Sequence, residues 1–365
     1  MLTGGAGFIG ANLAHHWNRT HPDDKVIVVD SLTYAGHRES LAALEGKPNF
    51  EFVQGDIRNQ RDMEAVLKGT DLVLHLAAET HNDRAIPDPL PFVRTNVEGT
   101  AVLLEACRRL DIPRFHHVST DEVFGSLALG IDQKFTERSP YQPRGPYSAS
   151  KAAADHMVRA WAETYGLPVT LSNCGNNYGP YQHPEKLIPL ATIRLLRGGT
   201  VSLYGDGRNV RDWIHVQDHC EAIDVIAHRG RLGSTYLVSA GNELSNNEIV
   251  ARLLKLLGKD ARSVQYVADR PGHDLRYALD SSRLRDDLGW KARVPFETGL
   301  RLTVEWYQHN ETWWSPLVSG PKADENPSGN RLASNRNRDG PPRASTPPGE
   351  ARGHGKTDVA RRRSH

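Results

Sequence analysis

The feature that most constrains this chain is an alternation. Short, continuous apolar runs are separated by longer stretches with helical periodicity. Residues 25–30 (KVIVVD), 71–78 (DLVLHLAA), 114–119 (RFHHVS) and 168–173 (PVTLSN) are such runs, of the length and branching expected of strands buried on both faces. Between them lie helical patterns at residues 96–110 (NVEGTAVLLEACRRL) and 148–166 (SASKAAADHMVRAWAETYG). Parallel strands need crossovers long enough to hold a helix, so this rhythm predicts an α/β fold: a doubly wound parallel sheet covered on both faces.

After residue 176 the rhythm changes. Loops rich in Gly and Pro (residues 178–189, 203–213 and 269–280) separate shorter elements, among them the helical ELSNNEIVARLLKLLG at 243–258. The expectation is a dinucleotide-binding domain over 1–176 and a smaller substrate-binding cap over 177–315, with some chain returning to the first domain. The last ordered element is expected to be residues 296–314. Residues 316–365 hold almost no large apolar side chain and cannot offset chain entropy by burial, so a disordered tail is expected.

Of 45 basic and 44 acidic residues, 10 and 5 fall from Ser319 onward, which leaves the body at −4 and the tail at +5. A formal charge of +1 gives no field that points to nucleic acid or a membrane surface. Arg361–Arg363 is read as a solvated patch. Three scattered cysteines, Cys107, Cys174 and Cys220, suit a reducing compartment. No span-length apolar run or signal pattern is present, so a cytoplasmic location is expected and no metal site is indicated.

TGGAGFIG places Gly4, Gly7 and Gly10 just before the helical ANLAHHWNRT. Glycine permits a tight turn and close approach of a pyrophosphate, and a helix N-terminus supplies N–H donors. Asp30 ends the next strand, where an acid can bond an adenosine ribose, and Ser31 rather than Arg follows it, which favours NAD over NADP. The first strand of such a fold should precede the glycines, yet only Met1, Leu2 and Thr3 stand there. Residue 1 is therefore expected to lie inside that strand.

Two further motifs carry chemistry. Tyr147 and Lys151 stand four apart at the start of a helix, so both face one way; an ammonium beside a phenol is expected to favour the phenolate. Thr120, Asp121 and Glu122 follow the strand at 114–119. Two carboxylates at a strand's C-terminal end can divide acid and base roles if their surroundings separate their pKa values. The alternative, that this segment caps a following helix, is disfavoured by VFGS.

TGGAGFIG, STDEVFG and YSASK in this order resemble the extended short-chain dehydrogenase/reductases, with a Rossmann-type sheet. DSLTYAG, LAAETHNDR, NNYGPYQHPEKLIP, YGDGRNVRDW and DRPGHDLRYALD resemble one branch, the dTDP-glucose 4,6-dehydratases, over about residues 1–314. The resemblance implies NAD as cofactor, dTDP-glucose as substrate and a homodimer. It implies C4 oxidation, loss of water across C5 and C6, and hydride return to C6.

It also implies roles for particular residues. Asp121 would be the acid, Glu122 the base and Tyr147 the C4 base, with Lys151 tuning Tyr147 and Thr120 bonding the same oxygen. Gly4, Gly7, Phe8, Ile9, Gly10, Asp30, Ser31, Leu32, Thr33, Asp56, Ile57, Ala77, Ala78, Thr95, Tyr147, Lys151 and Asn177 would contact NAD. Thr80, Thr120, Asn176, Lys186, Leu187, Tyr204, Arg211, Asn242, Asp269, Arg270 and His273 would hold the sugar nucleotide, Arg211 and Arg270 offering forked donors to its diphosphate.

Phe124, Asn82, Gly175 and Ser202 depart from the pattern of that branch, which has Tyr, Val, Ser and Pro there. Two rival readings are another sugar-nucleotide epimerase or decarboxylase, which has no use for the carboxylate pair, and a non-catalytic NAD or sugar-nucleotide binder. The stripe Ala153, Met157, Ala160 and Trp161 could face a second subunit or the chain's own core.

Overall fold

A computed structural model describes residues 1–318 of the chain. Of the expected tail, 316–365, residues from 319 on lie outside the described residues. In chain order the strands are β1 (Leu2–Thr3), β2 (Val26–Asp30), β3 (Phe50–Gln54), β4 (Val73–His75), β5 (Phe115–Thr120), β6 (Val169–Cys174), β7 (Asn176–Tyr178), β8 (Val201–Tyr204), β9 (Val210–His215), β10 (Thr235–Val238), β11 (Glu243–Ser245) and β12 (Val264–Val267). Seven form one sheet in the order β10-β6-β5-β4-β1-β2-β3, every pair parallel. β1 is only two residues long but pairs on both sides, Leu2 with Val28 and with Leu74.

The sheet is covered on both faces, as the apolar runs require. On one face, Leu2, Val28 and Leu74 pack against Leu13 and Ala14 of the Phe8–Thr20 helix and Cys220 and Ile223 of the Val216–Arg229 helix. On the other, Val29, Val73, Phe115 and Leu171 meet Leu103 and Leu104 of the Thr100–Arg109 helix and Val158 of the Pro146–Tyr165 helix. The strand order reverses between β1 and β4. The crevice beyond the carboxyl ends of those strands is where doubly wound sheets bind ligands.

The late chain does return to the sheet, since β10 adds to the β6 edge. The remaining strands make a three-stranded sheet, β11-β9-β7, and a parallel pair, β12-β8. Their apolar faces close over Ile188, Trp213, Ile249, Leu253, Phe296 and Leu300.

Three boundaries differ from the sequence reading. The run 71–78 gives a strand only over Val73–His75, because the chain beyond it turns into the crevice. The helical pattern at 96–110 begins as a π-helical turn, Val93–Gly99, before Thr100–Arg109. After a break at Asn310 a further helix, Glu311–Val318, runs past the expected last ordered residue, 314, and takes in residues 316–318, which were expected to be disordered. Trp314 is buried there and Trp313 donates to Ser40 Oγ, so this last helix has an apolar anchor.

Candidate active site

A cavity of about 480 Å³ opens at the β1–β4 crevice. Its floor is the glycine turn. Gly4 has φ +70, and a Cβ there would lie 2.6 Å from Ala77 N. A Cβ on Gly10 would come to 2.1 Å from Gly4 O, so these positions admit no side chain. Gly7 caps the Phe8–Thr20 helix without a side-chain cap, leaving the first-turn N–H groups to face the cavity.

Asp30, buried at the end of β2, lines the same space. Its Oδ2 accepts from Ala6 N at 2.9 Å and its Oδ1 from Leu32 N at 2.8 Å. Burial raises its pKa, and the Leu32 and Ala6 N–H groups oppose the rise. Each carboxylate oxygen has two lone pairs, so both keep capacity for a diol. A side-chain-free turn, exposed helix donors and an acid at the next strand's end together fit an NAD-sized dinucleotide.

The other residues predicted to contact NAD line this cavity as well: Phe8, Ile9, Ser31, Thr33, Asp56, Ile57, Ala77, Ala78, Thr95, Tyr147, Lys151 and Asn177. Leu32 does not. Its φ is +54, its side chain packs against the core, and it contributes an N–H to Asp30 instead. Asp56 accepts from Arg58 Nε at 2.9 and 3.0 Å, and that hydrogen bonding holds its pKa down.

Across the cavity β5 delivers Thr120, Asp121 and Glu122, and the Pro146–Tyr165 helix delivers Tyr147 and Lys151. The capping alternative holds here together with cavity placement. Thr120 Oγ accepts from Glu122 N at 3.3 Å and caps a one-turn 3₁₀ helix, Asp121–Phe124, which Gly125 ends at φ +86. The VFGS sequence excludes a longer helix but not this turn, whose effect is to fix both carboxyl groups at the strand end.

The two acids sit in different surroundings. Asp121 is 2% exposed and its Oδ2 has no hydrogen-bond partner among the described residues. Burial above all, then the negative charges of Glu122 and Asp212, pushes its pKa well above the usual carboxylate range; Arg211 opposes this. These surroundings favour the protonated form of Asp121, the form that can donate a proton. Glu122 is half-buried, and its Oε2 accepts from Asn82 Nδ2 at 3.0 Å.

Tyr147 and Lys151 both line the cavity. Burial, then Glu122, Cys174 and Asp121, raises the Tyr147 pKa well above its ordinary value, and only a bond with the Thr120 hydroxyl draws it down. Lys151 Nζ instead donates to Val118 O at 2.9 Å, and burial lowers its pKa while Asp155 opposes that. One N–H of the ammonium is thus engaged by a carbonyl, while its positive charge stays beside the cavity.

Among the residues predicted to hold the sugar nucleotide, Thr80, Thr120, Asn176 and Lys186 line the cavity, with Lys186 Nζ 3.3 Å from Thr80 O. Leu187, Tyr204, Arg211, Asn242, Asp269, Arg270 and His273 are not part of its wall. Leu187 packs into the apolar core beside Ile188. Arg211 donates to Val210 O and Asp274 O and lies over the Tyr277 ring, and Asn242 donates to Trp213 O. Tyr204 and Arg270 both reach Asp83, at 3.1 and 3.3 Å, while His273 bonds Asp269 at 2.7 Å.

Asp83 and the Asn82 contact were missed from sequence. Gly175 also has a physical reason: a Cβ there would stand 2.6 Å from Asp212 O. Phe124 is buried against Phe135 and Tyr141, and Ser202 accepts from Arg194 and Gln265.

Comparison with known proteins agrees with this layout. A family model described as GDP-mannose 4,6 dehydratase matches residues 1–303. A dTDP-glucose 4,6-dehydratase from Mycobacterium tuberculosis (strain CDC 1551 / Oshkosh) is 51% identical over 324 residues, covering 88% of this chain and 97% of the relative. The chain belongs to the dTDP-glucose 4,6-dehydratases.

A crystal structure of a dTDP-glucose 4,6-dehydratase from Streptomyces venezuelae, with NAD bound, matches with a TM-score of 0.85 and 49% identity over 87% of this chain and 98% of that one. A UDP-glucose 4-epimerase from Thermotoga maritima shares the architecture at a TM-score of 0.78, but at 30% identity over 84% of this chain and 98% of that one. The fold is thus common to epimerases and dehydratases. What separates them chemically must lie in the side chains of the site, and the dehydratase family is where this chain's sequence falls.

Proposed function

We propose that this chain dehydrates dTDP-glucose to dTDP-4-keto-6-deoxyglucose with NAD as an internally recycled cofactor. The conversion is redox-neutral: hydride leaves C4, water leaves across C5 and C6, and hydride enters C6. The observation that carries the reading is Asp121, a buried carboxyl whose surroundings favour its protonated form, beside Glu122, an acceptor held by Asn82, in the cavity that also holds Tyr147 and the glycine turn. An epimerase has no step that needs such a pair.

The residues divide the work as follows. The turn at Gly4, Gly7 and Gly10 and the helix that follows it hold the pyrophosphate, and Asp30 takes the ribose. NAD, when bound, would supply the hydride chemistry. Tyr147 then takes the C4 hydroxyl proton, with Thr120 bonded to the same oxygen and Lys151 contributing its positive charge. Glu122 removes the C5 proton and gives a proton back to C5 as hydride enters C6. Asp121 protonates the C6 hydroxyl, which leaves as water.

Thr80, Asn176 and Lys186 hold the substrate within the cavity, and Arg211 sits close enough to lower the pKa of Asp121. Residues 177–315 serve mainly as the sugar-nucleotide cap, with Tyr204, Arg211, Asn242, Asp269, Arg270 and His273 as its further candidate contacts to the nucleotide. Among the described residues no helix is long and apolar enough to cross a membrane. A cytoplasmic homodimer is proposed on the stripe that includes Ala153 and Ala160; Met157 and Trp161 pack partly on the chain's own core.

Incubation with dTDP-glucose and NAD, followed by mass spectrometry, tests the activity. Loss of one water without build-up of reduced nicotinamide is expected. An unchanged mass, or an epimer of equal mass, would refute it. Equilibrium sedimentation tests the dimer.

A further inference from the structure

Away from the cavity, the C-terminal end of the Phe8–Thr20 helix meets the C-terminal half of the Val216–Arg229 helix. Three imidazoles converge there on one carboxylate. His16 Nε2 lies 2.8 Å from Asp224 Oδ2, His21 Nε2 lies 3.0 Å from both carboxylate oxygens, and His228 Nδ1 is 2.9 Å from Oδ1. Among the described residues neither Lys nor Arg bridges to Asp224. Its three side-chain partners are all imidazole nitrogens.

We propose that His21, Asp224 and His228 form a site for a borderline divalent cation of the Zn²⁺ class, with His16 holding the carboxylate in place. The three ligand atoms all lie within 4.8 Å of one another. An ion with bonds of about 2.0–2.2 Å draws them in by less than about an ångström each. Two imidazoles and one carboxylate suit zinc, cobalt or nickel, whereas magnesium and calcium require oxygen ligands.

The surroundings are those of a built site. Trp17 stacks on the His228 ring at 5.2 Å and lies against His21 at 4.7 Å, and the two imidazoles stack on each other at 4.9 Å. These contacts fix the ring planes before any ion arrives. His16 is buried and donates from the protein side, the outer-shell arrangement that orients a ligating carboxylate. His228 and His21 are the more exposed members, so an ion enters from solvent and can keep a water in its fourth position.

One contact competes. His228 Nδ1 is also 3.0 Å from Asp224 O. That carbonyl lies inside a helix and keeps its own backbone N–H partner when the imidazole turns to the ion, so the loss is small. The gain is a cross-link between helices whose residues are over 200 positions apart, His16 and Asp224 being separated by 208. Ion binding therefore stabilises the packing of both helices on one face of the sheet.

The test uses the full chain, stripped of metal with a chelator and titrated with Zn²⁺ by calorimetry and by thermal melting, with Mg²⁺ as control. Because the chain has 17 histidines, the readout is the difference from a His21→Ala/His228→Ala double variant. The wild type should bind one more equivalent of Zn²⁺ than the variant, and its Tm should rise with Zn²⁺ but not with Mg²⁺. His16→Phe should weaken that equivalent by about 10–100-fold. Equal stoichiometry and affinity in wild type and double variant, or a Tm indifferent to Zn²⁺, would overturn the site. An undiminished affinity in His16→Phe would overturn the role of His16.

Discussion

Asp121→Asn is the substitution whose outcome follows most directly from the geometry. Asp121 is 2% exposed, its Oδ1 accepts from Thr120 Oγ at 3.3 Å, and its Oδ2 has no partner among the described residues. An amide has the same size and keeps that acceptor. Burial favours the protonated carboxyl, so the change chiefly removes a transferable proton.

The fold should hardly respond. The partnerless buried atom is unfavourable in both proteins, and a residual difference of about 1 kcal/mol would move the Tm by roughly 2–4 °C. Catalysis should respond strongly. A positioned general acid contributes about 10²–10⁴-fold, or roughly 2.7–5.5 kcal/mol of barrier. Tyr147, Lys151 and the glycine turn are untouched, so oxidation at C4 should proceed while water loss stalls.

Rapid mixing with dTDP-glucose, read by nicotinamide absorbance and by mass spectrometry of quenched samples, separates the two steps. The reduced nicotinamide signal should accumulate in the variant and not in the wild type, and dehydrated product should form about 10²–10⁴-fold more slowly. Water loss at the wild-type rate would refute the assignment of Asp121. Loss of oxidation and dehydration together would place Asp121 at the wrong step.

Three further outcomes are expected. Asn82→Ala removes the donor to Glu122 Oε2; with a bond to an ionised group worth about 1.5–3 kcal/mol, kcat should fall by at least about tenfold with KM little changed, as steady-state kinetics would report. Gly10→Ala would put a methyl 2.1 Å from Gly4 O, so the turn must open; NAD affinity measured by calorimetry should drop together with Tm, and unchanged binding would contradict the cradle. The third concerns pH. Burial lowers the pKa of His116 to about 3, of His117 to about 4 and of His219 to about 3. The unfolded chain therefore takes up protons that the native state refuses as pH falls below the ordinary histidine value of about 6.5. Native stability is complete above that value and is lost toward pH 4, by up to about 1.4 kcal/mol per pH unit per histidine. Melting curves between pH 7.5 and pH 4.5, as an about three-unit span, should show a steady fall in Tm.

Much of the frame was legible because it follows from patterning. Strands of the β2 and β5 kind are continuous branched runs, and a glycine spacing before a helix can be read as a turn without seeing it. The placement of Asp30, Tyr147 and Lys151 along one cavity also follows from chain order in a doubly wound sheet. What was not legible depends on distances between segments far apart in sequence. Nothing near Lys151 announces that its ammonium is taken by Val118 O, nor does LAAETHNDR reveal that Asn82 reaches Glu122 across 40 residues.

The same holds for the arginines. Arg211 and Arg270 read as diphosphate ligands by type, yet one is engaged by backbone carbonyls and the other by Asp83. Their partners come from other loops, so no local pattern encodes them. The capping of Asp121–Phe124 by Thr120 shows a different gap. Sequence separated a structural role from a functional one, whereas a single turn serves both.

The central claim is an internal hydride path joined to loss of water. The most direct measurement follows deuterium from dTDP-glucose labelled at C4, with product read by NMR and mass spectrometry. The label should appear at C6 of a 4-keto sugar that has lost one water, with no exchange into the medium. Label retained at C4 in a sugar of unchanged formula, or lost to solvent without dehydration, would contradict the account.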